Sequence, residues 1–175
     1  NISREEMYEV ALKSHNEAER ATNDGSFKDE IVPVEVPQKR KKPPIVFDKD
    51  EHFRPGITKD DLAALPPAFV PKTGKVTAGN SSGINDGSTG MIIMSADKAK
   101  ELGLKPLAKI KATARGACHP SVMGLSPVPA VNNLIKNSDL SLSDFELIEV
   151  NEAFAGQYLG CEKELGLKRE ITNVN

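Results

Sequence analysis

The chain has 175 residues, 38% of them hydrophobic and 27% charged, with a formal net charge of -2. Such a profile describes an ordinary soluble globular protein, and the near-neutral balance gives neither nucleic acid nor a membrane surface a claim as main partner. No apolar run approaches the roughly 20 residues that span a bilayer, and Asn1 to Met7 carry neither the basic nor the apolar stretch of a secretory signal.

Ser3 with Glu6 three residues on is a capping box, which satisfies two orphan amides at a helix start. Met7, Ala11, Ser14, Ala18 and Ala21 recur at helical spacing as a narrow stripe of mostly small residues, until Gly25 stops the helix. Val32, Val34 and Val36 alternate as in a half-buried strand, Pro33 suggesting an edge, and Ile45-Val46-Phe47 is a short returning strand. The basic run Lys39-Arg40-Lys41-Lys42 between them reads as an exposed hairpin turn in preference to a nuclear signal. Residues 48 to 81 are irregular and rich in proline and glycine, interrupted by one short helix with Thr58 as N-cap and Leu65 at its end. Long loops inside compact proteins are usually functional.

After Gly83 the texture changes. Met91-Ile92-Ile93-Met94 is a continuous apolar run, as in a strand buried on both faces, and a helix from Ala96 to Leu102 follows, closed by Gly103. Leu107, Ile110 and Ala112 suggest a second strand. Pro129 suits an early helix position, with Val131, Leu134 and Ile135 as the buried face. Phe145 to Val150 reads as a third strand and Ala153 to Leu165 as a third helix, stopped by Gly166. Strand and helix alternation from residue 88 onward implies an α/β layered core, with the preceding residues as a loop-rich excursion and a boundary near Ser82. A helix starting at once without an initiator methionine, and a strand just beginning at Ile171 to Asn175, lead us to expect a stretch of a longer chain.

Two segments could carry chemistry. Val76 to Gly87 is dense in Gly, Ser and Asn, which let a backbone approach a ligand closely and offer several donors; a tight turn explains the same residues. It is not a phosphate loop, because no Gly-Lys-Ser/Thr follows. Glu149-Val150-Asn151-Glu152-Ala153-Phe154 joins a strand end to a helix start, where a polar side chain beside helix amides can stabilise developing negative charge. The residues alone favour the plainer alternative, that Asn151 caps the helix.

Taken together these segments resemble the thiolase family. Val76 to Gly87 is similar to the family's V-T-A-G-N-[AS]-S-G-[IL]-N-D-G, Val122 to Ala130 to its V-M-G-x-[GS]-P-[VI]-P-A, and Asn151-Glu152-Ala153-Phe154-Ala155 to its N-E-A-F-A signature. Weaker echoes at Ile2 to Glu6, Phe27 to Val34 and Asp50 to Pro55 extend the likeness in order over essentially the whole chain. It implies a thiolase-like layered α/β core, incomplete here, with residues 1–81 in the loop domain that contributes to CoA binding, 82–105 ending the N-terminal core half and 106–175 beginning the C-terminal one.

The resemblance also implies thiolytic cleavage of 3-ketoacyl-CoA, or the reverse Claisen condensation of acetyl-CoA, through a cysteine acyl-enzyme. The family's nucleophilic cysteine precedes the matching stretch, and its G-H-P histidine and second cysteine follow it. Asn151 matches the asparagine that holds a water at the thioester oxygen, and Phe154 and Met123 match residues near the acyl group. Ser82 matches the serine on the pantetheine arm, with Ala78 and Gly83 lining the tunnel, Phe69 against pantetheine, Leu65 nearer the nucleotide and Arg54 near its phosphates. CoA is then a substrate and no cofactor or metal is required. The expected partners are acyl-CoA or acetyl-CoA, the rest of the thiolase polypeptide, and further copies in a homodimer or homotetramer. The expected location is the cytoplasm, in keeping with two cysteines that form no disulfide framework.

The chain departs from the family at Cys118-His119, where many members have a short aliphatic residue and Asp. Adjacent strand residues face opposite ways, so this pair is badly placed to share a proton; we read a small core thiol and a partly exposed imidazole. Cys161, on one helical face with Phe154 and Tyr158, reads as packing. A different class of function, a non-catalytic thiolase-like subunit that binds CoA or a partner enzyme, shares most of these features. A ketoacyl-synthase type of condensing enzyme is disfavoured by N-E-A-F-A.

Overall fold

The first helix, α1 (Arg4–Asp24), starts where its capping box places it: Ser3 Oγ accepts the Glu6 amide at 3.1 Å, and Glu6 Oε2 accepts the Ser3 amide at 2.6 Å. Its C-terminus is closed by Gly25 in the left-handed region. The computed structural model to which it belongs describes residues 1–39 and 42–175. Arg40 and Lys41 of the expected basic turn lie outside the described residues.

The buried residues of α1 are Met7, Tyr8, Val10, Ala11 and Ala21, a wider face than the small-residue stripe suggests. Neighbouring positions on a helix point about 100° apart, and α1 uses that spread to serve two partners. Met7 and Val10 pack on Ala155, Tyr158 and Leu159 of the last helix, α5 (Ala155–Leu165). Tyr8 and Ala11 pack on Leu62 of α2 (Lys59–Ala64). Leu62 and Leu159 are wholly enclosed, a burial worth about 1.5–3 kcal/mol each. Thr58 caps α2 as expected, in a second capping box with Asp61.

Lys163 on α5 reaches Glu6 at 2.7 Å, and that contact with the Ser3 hydrogen bonds holds the Glu6 carboxyl down at about 2. At the same end of α5 the Arg169 guanidinium grips Glu162 through two bonds of 2.6 and 2.9 Å. Tyr158 stands beside that carboxylate, and burial, then the Glu162 charge, pushes its phenol up to about 12.

These helices belong to one unit formed by Asn1–Gly83 and Phe145–Asn175. The same unit carries the antiparallel pair β1 (Val34–Val36) and β2 (Ile45–Phe47), with Val34 opposite Phe47 and Val36 opposite Ile45. The strands are where the alternation puts them, but all six residues are exposed rather than half-buried, since neither face of the ribbon is covered among the described residues. The expected strand Phe145 to Val150 contracts to a single parallel bridge, Ile148 with Thr172.

The second unit, Ile84–Asp144, contains α3 (Ala96–Glu101), capped by Ser95, and α4 (Pro127–Lys136). Met91 to Met94 do not form the doubly buried strand that their apolar run suggests. Met91 and Ile92 are 80% and 87% exposed, and a strand without a ladder partner has nothing to satisfy its main chain. The second expected strand, around Leu107 to Ala112, likewise carries no ladder. From Lys111 to Cys118 burial still alternates, with Ala112, Ala114, Gly116 and Cys118 half-buried. α4 lies against that side: Asn133 Nδ2 donates to the Arg115 carbonyl at 2.8 Å, and a Cβ at Gly116 would run into the main chain of Pro129 and Ala130. Val131, Leu134 and Ile135 are half-buried and not fully enclosed, because a single extended segment covers α4 within its unit.

Candidate active site

The loop from Thr77 to Gly83 is folded around its own polar side chains. Thr77 and Asn80 are buried; Asn80 Oδ1 accepts the Thr77 amide at 2.8 Å, and Asn80 Nδ2 donates to the Lys75 carbonyl at 2.9 Å. Ser81 Oγ donates back to the Thr77 carbonyl at 2.7 Å. With these groups satisfied inward, Ala78 and Ser82 remain exposed and Gly83 half-exposed. The Ser82 amide then donates to the Ala153 carbonyl at 3.0 Å, and Ser81 pairs with Phe154 in an antiparallel bridge. Two motifs some 70 positions apart in the sequence thus lie edge to edge.

Asn151 stands three residues before that bridge, exposed, at the rim of a polar depression shared with Ser14, Glu149, Glu152, Asn173 and Asn175. It does not cap α5. The helix begins at Ala155 with Phe154 in the cap position, so the capping reading of Asn151 fails on distance along the chain. What holds the segment is Asn173. Its amide side chain accepts the Val150 N–H and donates to the Val150 carbonyl, both at 2.8 Å, and also donates to Glu152 Oε1 at 2.8 Å. Asn173 does this from a φ of 48°, a region asparagine tolerates better than most residues. Lys13 on α1 in turn holds the Asn173 carbonyl at 2.7 Å.

The remaining candidates are more scattered. Leu65, half-buried, packs beside Leu62 under the loop. Phe69 is 72% exposed, on a turn closed by the Ala68 amide on the Val76 carbonyl at 2.8 Å. Arg54 is exposed on a separate turn, its amide donating to His15 Nδ1 of α1 at 3.2 Å. Burial first, then the His52 and Arg54 charges, lower the His15 pKa below the usual imidazole value, while Glu152 acts the other way. Met123 belongs to the second unit and is 69% exposed. Cys118 there hydrogen-bonds the Val122 carbonyl and Ser126 Oγ at 3.1 and 3.2 Å, while His119 faces outward onto Ser121. No hydrogen bond joins the adjacent pair. Among the described residues no cluster of three His, Cys, Asp or Glu could hold a metal, and no helix is long and apolar enough to cross a membrane.

Sequence reasoning missed His15, Asn80 and Asn173, which hold the segments that carry the candidates. Asn80 carries a visible signal, a cap-like spacing of three from Thr77. His15 and Asn173 carry none, because their partners lie 39 and 23 positions away.

Comparison with known proteins joins these observations. The family model described as the thiolase N-terminal domain matches residues 1–97, and that of the thiolase C-terminal domain matches residues 104–175. The chain belongs to the thiolase family. It is 49% identical over 174 residues to an acetyl-CoA acetyltransferase of Chromobacterium violaceum, an alignment covering 99% of this chain and 44% of that protein. Among solved structures it is similar to the acetyl-CoA acetyltransferase of Bacillus anthracis, with a TM-score of 0.94 and 51% identity over 99% of this chain and 43% of that one. The human mitochondrial 3-ketoacyl-CoA thiolase in complex with CoA gives a TM-score of 0.91 at 45% identity, with 99% and 42% covered. The chain thus carries part of the α/β thiolase fold and spans less than half the length of these relatives.

Proposed function

We propose that these residues belong to a thiolase-type acyl-CoA acyltransferase, whose complete polypeptide cleaves 3-ketoacyl-CoA with CoA or runs the reverse condensation of acetyl-CoA. In the cleavage direction a cysteine thiolate outside these residues attacks the keto carbon. The bond to the α-carbon breaks, acetyl-CoA leaves after protonation of that carbon, and CoA sulfur then takes the acyl group from the cysteine. Asn151, through a bound water, stabilises charge on the thioester oxygen, and Phe154 lines the acyl end. Ser82, Ala78, Gly83, Phe69 and Leu65 receive the pantetheine arm, and Arg54 the nucleotide phosphates.

The observation that carries this reading is the junction of the two motifs. Ser82 is tied to Ala153, and Ser81 to Phe154, which supports a pantetheine site near the residue assigned to the thioester oxygen. CoA serves as substrate, with no further cofactor. A homodimer or homotetramer in the cytoplasm goes with the reading, and the uncovered apolar residues of β1 and β2 support self-association.

The test uses the complete protein with a 3-ketoacyl-CoA and CoA. The expected result is CoA-dependent loss of the ketoacyl thioester, ping-pong kinetics and an acyl adduct on a cysteine other than Cys118 or Cys161. CoA binding without turnover or adduct would instead mark a non-catalytic subunit.

A further inference from the structure

The turn that bears Arg54 is irregular and exposed, yet three separate contacts fix it. Its amide donates to His15 Nδ1 at 3.2 Å, and the Gly56 amide donates to Glu19 Oε2 at 2.9 Å. His15 and Glu19 are one helical turn apart on α1, so a single helix face accepts two successive free amides of the turn. The third contact closes the turn on itself, with the Ile57 amide on the Arg54 carbonyl at 3.3 Å and the Ile57 side chain packed on Tyr8, Ala11 and Leu62. Gly56 takes a φ of 66°, which lets its amide turn back toward the helix. For Nδ1 to accept, His15 must be neutral with its proton on Nε2.

A mobile guanidinium loses conformational freedom when it meets a phosphate; one on a fixed turn loses less. We infer that His15 and Glu19 are positioning residues for the nucleotide end of the CoA site, holding the Arg54 turn in place without touching the ligand. This rests on the reading of Arg54 as a phosphate ligand. It assigns α1 a part in substrate binding that none of its own side chains performs directly.

The experiment compares His15→Ala, His15→Asn, Glu19→Ala, Glu19→Gln and Arg54→Ala in the complete protein, with CoA and with a nucleotide-free N-acetylcysteamine thioester. Asn places an oxygen where Nδ1 stands, and Gln keeps the acceptor while removing the charge. Both hydrogen bonds are solvent-exposed, and losing either corresponds to about a threefold to tenfold effect. H15A and E19A should each raise KM for CoA by that factor with kcat changed less than twofold, and H15N and E19Q should recover most of it. The effect should vanish with the nucleotide-free substrate, and H15A should add little in the R54A background. Amide exchange at Arg54 and Gly56, faster in H15A and E19A at unchanged global stability, separates a loosened turn from a misfolded protein. If R54A raises KM for CoA while H15A and E19A do not, the positioning role is wrong and the Arg54 reading stands. If R54A leaves KM unchanged, the Arg54 reading itself falls, and the positioning role with it.

Discussion

An amide and a carboxylate have almost the same shape, and at Asn151 that makes charge the only variable. On the role proposed for it, Asn151→Asp puts an anion where oxyanion charge would form, whereas Asn151→Ala leaves room for a replacement water. Loss of an oxyanion donor lowers kcat by roughly 100- to 1,000-fold, and Asp should be the worse of the two at neutral pH. Because α5 begins at Ala155, neither variant should lower the melting temperature by more than a degree or two. Near-normal turnover in N151D would remove Asn151 from the active site. At His15 the variable is a proton. Its pKa is lowered in the fold, so the unfolded chain binds the proton more readily. The stabilising contribution of neutral His15 is therefore present above the unfolded value and lost as pH falls through the folded one. Protonation also removes the acceptor for the Arg54 amide. KM for CoA should rise on acidification below the ordinary imidazole value, and the rise should be absent in H15N.

Among the elements, the segment 148–150 depends most on one residue. Asn173→Ala removes three side-chain hydrogen bonds and leaves a β-carbon residue at positive φ. With Val150 amide and carbonyl left unpaired, a loss of about 2–4 kcal/mol is expected, measurable by urea unfolding, together with reduced kcat through displacement of Asn151. Asn173→Gly should retain part of the backbone geometry but none of the bonds, and an N173G as stable as wild type would show that the side chain contributes nothing. Elements whose determinants are local were legible in the sequence: the capping box at Ser3, the cap at Thr58, the stop at Gly25, and Pro129 as an early residue of α4. The hairpin strands were legible as strands but not as exposed ones, since alternation reports a half-apolar segment and not what covers it. Met91 to Met94 misled for a related reason. An apolar run states a demand for burial, and the answering ladder must come from residues elsewhere. At the site, the motif residues could be placed by pattern, while their supports could not: an asparagine 23 positions on and a histidine 39 positions back follow no local rule.

For the molecule as a whole, the uncovered apolar side chains set the expectation. Val32, Ile84, Met91, Ile92 and Leu107 are each at least 80% exposed, and scattered polar neighbours do not cover them. Residues 1–175 produced alone should bind a hydrophobic dye and melt without a sharp transition. A cooperative melt with well-dispersed amide resonances would sink that expectation. The unit of Asn1–Gly83 and Phe145–Asn175 is also interrupted by the whole of the other. Lys13 meets the Thr172 carbonyl across 159 positions, and Met7 meets α5 across a comparable gap. A ribosome adding about 5–20 residues per second needs roughly 10–30 s to bridge that interval. Over most of it the α5-facing side of α1, Met7 and Val10, has left the ribosome with its partner helix not yet translated. Long loop closure then follows slowly. Synthesis of this protein therefore opens an interval in which the apolar face of a nascent helix must be sheltered, and a holdase or slow-codon pause acting between α1 and α5 would change the yield of folded protein without altering a single native contact.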